Sequence, residues 1–213
     1  ASDHEDFIGS GSGTLAVFPG EGEYITQIVS FRGLLIVWKF PVGMFLVDTT
    51  SPNIANWKVS RLSNTIGGAS AAGASIIEGD VIFMDSSGNF HLVSAVDEFG
   101  NLGVNNVSTQ TGMDGFIRDE ANLSLINKVR SVFYPAKGQA HFSLPRVGTT
   151  VNTLRILVDF NIRGRGRFSS STRDTAECLF LKQDADGIPR ITLGDDVGFV
   201  YNMDQDGRTK DGG

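Results

Sequence analysis

The sequence predicts an all-β fold of repeated antiparallel hairpins. It is β-propeller-like, complete or partial, with one short helix; the alternative is a β-sandwich. Three observations carry this. The stretch Asp80–Val93 reads as an apolar run, a polar turn containing Gly88, and a second run that alternates. Aspartate, serine, glycine and asparagine favour turn conformations, while valine, isoleucine and phenylalanine suit a pleated, half-buried surface. The pattern recurs, with returns that follow Gly43, Gly88, Gly138 and Gly198. Those glycines are separated by 45, 50 and 60 residues. Propeller blades of four strands repeat at about 40–50 residues. The spacing drifts and the signature propeller dipeptides are missing, so a sandwich of ordinary hairpins stays open.

The elements follow in order. Ser10–Gly13 is a glycine-serine link without side chains to pack. Residues 1–23 read as a lead-in, and 24–213 as one β-propeller-like domain of a longer chain. Tyr24–Phe31 alternates, Arg32-Gly33 turns it, and Leu34–Trp38 returns as a buried strand. Gly43–Asp48 and Trp57–Leu62 are the next two strands. Ile66–Ile77 is small and glycine-rich. Glycine costs about 1 kcal/mol inside a helix, so close backbone packing at a crowded axis explains this stretch better. Asn101–Gly115 is polar and loop-like. Arg118–Lys128 is the one predicted helix, because Leu123, Leu125, Ile126 and the flanking Ile117 share a helical face. Strands follow at Val129–Tyr134, Gln139–Leu144, Thr153–Phe160, Ala176–Leu181 and Pro189–Asp204, the last containing a hairpin.

A chain of 213 residues buries roughly 70% of its extended surface, enough for a core without disulfide staples. No apolar run approaches the ~18 residues of a membrane span. The longest, Leu34–Val47, is interrupted by Lys39, Pro41 and Gly43. The single cysteine, Cys178, excludes an internal disulfide framework. It lies within an apolar strand beside Glu177 and is expected to be a small core residue. The net charge of −6 argues against a surface built to grip duplex DNA. The polar start without methionine and the Asp211-Gly212-Gly213 end suggest a piece of a longer polypeptide.

No pattern demands catalysis. His4, His91 and His141 lack partners at metal-ligand spacing; His91 and His141 are expected at equivalent places in two repeats. Asp184-Ala-Asp186-Gly187 and Asp204-Gln-Asp206-Gly207 look faintly like calcium loops. The glutamate that such a loop needs six positions after its glycine is replaced by Leu193 and Gly213, so both read as turns. No nucleophile elbow occurs, and the one adjacent carboxylate pair near a strand end is Asp195/Asp196. The most basic stretch carries Arg163, Arg165, Arg167 and Arg173 among glycines and serines. These four are the candidate subunit-docking residues, suited to an acidic partner. No catalytic, metal-binding or cofactor-binding residue is assigned.

Four segments, Leu34–Thr50, Gly67–Val93, Leu125–Pro145 and Arg190–Gly207, together resemble the tail tubular or nozzle-type structural proteins of short-tailed bacteriophages. The shared features are apolar strands around Ala69–Gly88, the return His141–Leu144, and Leu193–Asp204. The resemblance runs from about Val29 onward. It implies a non-enzymatic virion protein, made in the host cytoplasm and assembled into a ring of copies around the DNA ejection channel. Its partners would be other tail and portal-adaptor proteins, with DNA passing through the lumen without sequence-specific binding. Such proteins usually run to several hundred residues, longer than this chain. An acidic subunit suits a channel that must not hold phosphate. The competing functions are a receptor- or glycan-binding β-module and a propeller-type hydrolase.

Overall fold

The computed structural model describes residues 15–20, 23–95, 102–160, 167–172 and 175–203. Four antiparallel sheets follow one another along the chain, and in each the strand order is the chain order. The first holds β1 (Tyr24–Phe31), β2 (Leu34–Phe40), β3 (Met44–Asp48) and β4 (Lys58–Ser63). The second holds β5 (Ala74–Ile77), β6 (Asp80–Met84), β7 (Phe90–Ala95) and β8 (Leu102–Asn106). The third holds β9 (Arg130–Tyr134), β10 (Gln139–Leu144), β11 (Leu154–Asp159) and β12 (Arg167–Ser171). The fourth holds β13 (Cys178–Gln183), β14 (Pro189–Gly194) and β15 (Val200–Asn202). The all-β class of repeated hairpins is therefore the observed one.

Successive sheets pack through their first strands: β1 on β5, β5 on β9, β9 on β13. Among the described residues, contacts of that extent do not run from the fourth sheet back to the first. Side-chain alternation explains the packing. On β6, Val81 and Phe83 join Phe31, Ile36 and Trp38 of the first sheet. Ile82 and Met84 face the other way, onto Phe142, Ile156 and Val158 of the third. A strand buried on both faces needs an unbroken apolar run, and Val81–Met84 supplies one. A much smaller cluster, Val132, Tyr134 and Ile191 with Leu179 and Met203, joins the third sheet to the fourth.

The segment from Ile66 to Gly73 passes between sheets. A methyl group on Gly67 would overlap the carbonyl oxygens of Lys39 and Pro41, and one on Gly68 would lie 2.8 Å from Trp38 Cβ. Close backbone packing is thus what these glycines permit.

Several expectations are corrected. The loop-like region contains β8, a short helix α1 (Ser108–Thr111) and the start of α2 (Met113–Glu120). The helix expected over Arg118–Lys128 ends at Ala121, whose backbone is extended and bridges Arg146. Asn122 then donates its N–H to the Pro145 carbonyl, and a 3-10 segment covers Leu123–Lys128. Pairing with a neighbouring chain segment has displaced the helical ladder. The repeat also has a different phase. Gly43, Gly88 and Gly198 join the second and third strands of their sheets, but Gly138 joins the first and second strands of its own. His91 is therefore on a third strand and His141 on a second, not at equivalent places.

Candidate functional site

Two polar constellations emerge, one inside the hairpins and one between sheets. The first is a clamp that occurs three times. In Asp85-Ser-Ser-Gly88-Asn89-Phe-His91, Asp85 Oδ1 accepts the N–H groups of Ser87 at 2.8 Å and Asn89 at 2.9 Å. Its Oδ2 accepts the Asn89 amide and His91 Nε2, the latter at 2.7 Å. In Asp184-Ala-Asp186-Gly187-Ile188-Pro-Arg190, Oδ1 accepts from the Asp186 and Ile188 N–H groups and Oδ2 from Arg190 Nε at 2.8 Å. In Asp195-Asp-Val197-Gly198-Phe199-Val-Tyr201, the partners are the Val197 and Phe199 N–H groups and the Tyr201 hydroxyl, also at 2.8 Å. The glycine three residues after each aspartate sits at positive φ, +86°, +75° and +94° in turn, where other side chains are strained. The rule is aspartate, glycine at i+3, and a side-chain donor at i+6.

These carboxylates are held below their ordinary pKa. Burial pushes Asp85 up, but the His91 ring and the Asn89 N–H and side chain outweigh it. For Asp184 the Arg190 guanidinium is the leading cause, followed by the Ile188 N–H. For Asp195 desolvation works upward and is outweighed by the Phe199 N–H and the Tyr201 hydroxyl. The faint calcium loop at Asp184 is thus a turn whose aspartate bonds its own backbone. The similar stretch at Asp204 lies outside the described residues. Among the described residues, no group of three histidines, cysteines or acids is arranged to hold a metal ion.

The second constellation is a wedge between the third and fourth sheets. The fourth sheet leans on β9; the same face is buried on β10, at His141 and Ser143, and opens toward solvent on β11 and β12. Register places His141, Leu157 and Ser169 in one row across those strands, and Arg155 and Ser171 in the next. The opposite face of the same strands is the apolar core of Phe142, Ile156 and Val158. The wedge is an open cleft of about 260 Å³, reached also by Lys137, Gln139 and Met203. Among the described residues, its lining includes Lys137, Arg155, His141 and several hydroxyls. His141 is buried, and Arg155 Nη1 donates to Met203 Sδ at 2.9 Å. Gln139 donates to Asp159 Oδ2 at 3.0 Å on the rim.

Of the predicted docking arginines, Arg163, Arg165 and Arg173 lie outside the described residues. Arg167 opens β12, is exposed, and stands opposite Asp159 in register. Cys178 is exposed, not a core residue. Register puts it with Phe180 and Val200 on the face of the fourth sheet that points away from the third, where no further sheet follows among the described residues. That outer face and its turn expose Phe180 by 42%, Val200 by 55%, Phe199 by 48% and Val197 by 71%. The clamp rule was present in the sequence as Asp-x-x-Gly spacing. The wedge was not, because its residues are gathered from three strands by register.

No family model matches the chain, and no curated protein does. Among solved structures, a protein assigned as a 6-phosphogluconolactonase from Bacteroides uniformis ATCC 8492 is similar at a TM-score of 0.49 and 10% identity. The match covers 85% of this chain and 54% of that one, so the chain spans about half that protein's length.

Proposed function

We propose that this chain is a non-enzymatic structural module that works by assembly, as a ring subunit of a short-tailed bacteriophage tail nozzle. The observation that carries the assembly part is a set of exposed apolar side chains on the outer face of the fourth sheet and its adjoining turn. Phe180 and Val200 there, with Phe199 and Val197 in the adjoining turn, are too exposed for side chains of a finished core. Contiguous exposed apolar surface marks an interaction site. A second copy is the proposed occupant, since a patch that meets a different patch on its neighbour builds rings. The virion setting is drawn from the sequence resemblance, as are the neighbouring tail and portal-adaptor proteins and the passage of DNA through the lumen.

The hairpin aspartates are turn acceptors and are not set up as general acids or bases. A general acid or base works best with a pKa near the operating pH. Asp85, Asp184 and Asp195 are shifted the opposite way and are engaged as turn acceptors. Asp195 is half of the one carboxylate pair the sequence offered.

Sizing with light scattering, followed by negative-stain imaging, tests the proposal. The expected result is a ring with an open lumen. The double substitution Phe180→Glu, Val200→Glu is expected to leave a folded monomer. A wild-type chain that stays monomeric at high micromolar concentration overturns the assembly reading. The wedge favours a second reading, a β-module that binds a polar ligand.

A further inference from the structure

We infer that the fourth sheet of one copy docks on the outer face of the first sheet of a second copy, and that Leu15, Val17 and Phe18 form a strap over that face which the incoming copy displaces. The inference rests on the assembly reading above and names the other half of its junction. Within the chain, a sheet receives its predecessor on one face and meets its successor with the other. In the second sheet, Val81, Phe83 and Val93 receive the first sheet, while the intervening Ile82, Met84 and Phe90 meet the third. In the first sheet, Ile36, Trp38 and Met44 meet the second. The residues between them, Val37, Phe45 and Val47, therefore form a receiving face. β1 extends that face with Ile28, opposite Val37 in register and 54% exposed, and Ile25, opposite Lys39 and 46% exposed. Among the described residues, the face is covered by the strap and not by a sheet.

The strap fits this face less well than a sheet would. Phe18 stacks on Phe45 with ring centroids 4.9 Å apart, and its carbonyl accepts Lys39 Nζ at 2.8 Å. Yet Phe18 has a φ of +40°, in the left-handed region that a bulky side chain enters only at a cost. Leu15, Val17 and Phe18 are themselves only half-buried. A sheet in their place would bury more apolar area and release Phe18 from that backbone conformation. The fourth sheet supplies the complementary face. Met44, Phe90 and Val200 each open the third strand of their sheet. Met44 and Phe90 are fully buried against the following sheet, whereas Val200 is 55% exposed. The packing rule that joins sheets within the chain thus extends across copies, through two different patches, as a ring requires.

The test is light scattering and sedimentation of full-length variants, with far-ultraviolet circular dichroism to confirm that each folds. Ile25→Glu, Ile28→Glu charges the receiving face at exposed positions outside the strap contact and is expected to leave a monomer. Mixed with the Phe180→Glu, Val200→Glu chain, it is expected to form a one-to-one dimer, because each chain keeps the face the other has lost. Phe18→Ala is expected to lower the concentration of half-assembly by about tenfold, the scale of one aromatic contact with its burial. Wild-type assembly by the Ile25→Glu, Ile28→Glu chain overturns the inference. So does a mixture that stays monomeric, or a Phe18→Ala midpoint that is unchanged or raised. None of these three outcomes touches the reading that the fourth sheet mediates assembly, which fails only if the wild-type chain itself stays monomeric.

Discussion

At the scale of single residues, the hairpin clamp decides most. Asp85 is the most enclosed of the three aspartates, 6% exposed, and His91 beside it is 2% exposed. Removing the carboxylate by Asp85→Ala strands the His91 Nε2–H and the turn N–H groups. A buried charged acceptor taken from its donors costs about 2–4 kcal/mol, measurable by urea unfolding. Asp85→Asn keeps the shape and one acceptor and is expected to lose less. The pH dependence has a definite sign. The Asp85 carboxyl is lowered in the folded state, so its contribution is complete above the unfolded value of about 3.9 and is lost as pH falls through the lower folded value. Wild-type stability is expected to drop on acidification in that window, and Asp85→Asn to show a shallower drop. Asp195→Asn is expected to matter less than Asp85→Asn, because the Asp195 turn faces solvent. A steeper acid dependence in Asp85→Asn than in wild type would contradict the clamp. The Asp-x-x-Gly turns could be read from the sequence because their bonds are local. The donor at i+6 was not recognised, since histidine, arginine and tyrosine share the role without sharing a residue type.

Elements show where local preference yields to pairing. The Gly67-Gly68 step could be inferred from composition, and its reason is steric. Gly67→Ala is expected to destabilise by about 1–3 kcal/mol, the usual range for overpacking, because the obstructing atoms are backbone carbonyls that cannot rotate away. Gly115 is the contrasting case. It lies inside α2 with nothing within 4 Å of a methyl group placed there. Gly115→Ala is expected to stabilise by about 0.4–1 kcal/mol through the unfolded chain. Thermal melts of the two variants should move in opposite directions. The helix lies earlier in the chain than its apolar spacing predicts, at Met113–Glu120. Ile117 does face the core, but the ladder stops at Ala121, where the extended backbone bridges Arg146. Such a long-range bridge leaves no local mark. The same holds for the phase of the third sheet: the hairpin at Gly138 looks like the others, and only strand pairing assigns it to the first and second strands.

At the scale of the molecule, the four sheets are unequally fastened. The second and third share a core of fifteen buried residues with α2 and its neighbours packed against it. The first is held to the second by seven. Among the described residues, the fourth is held to the third by three, Val132, Tyr134 and Ile191, supported by Leu179 and Met203. Facing it beyond β9, the third sheet presents Gln139, Arg155, Ser169 and Ser171, which add little apolar burial. Parts of a protein with few buried apolar contacts open independently of the whole. The amides of β13–β15 are therefore expected to exchange hydrogen at least about a hundredfold faster than those of β10 and β11. Ile191→Ala removes the centre of the small cluster and is expected to widen that gap while leaving protection in the second and third sheets intact. Assembly through the outer face of the fourth sheet would slow exchange in β13–β15 as concentration rises. Uniform exchange across all four sheets, unaffected by Ile191→Ala, would mean that the fourth sheet belongs to the same cooperative unit as the rest.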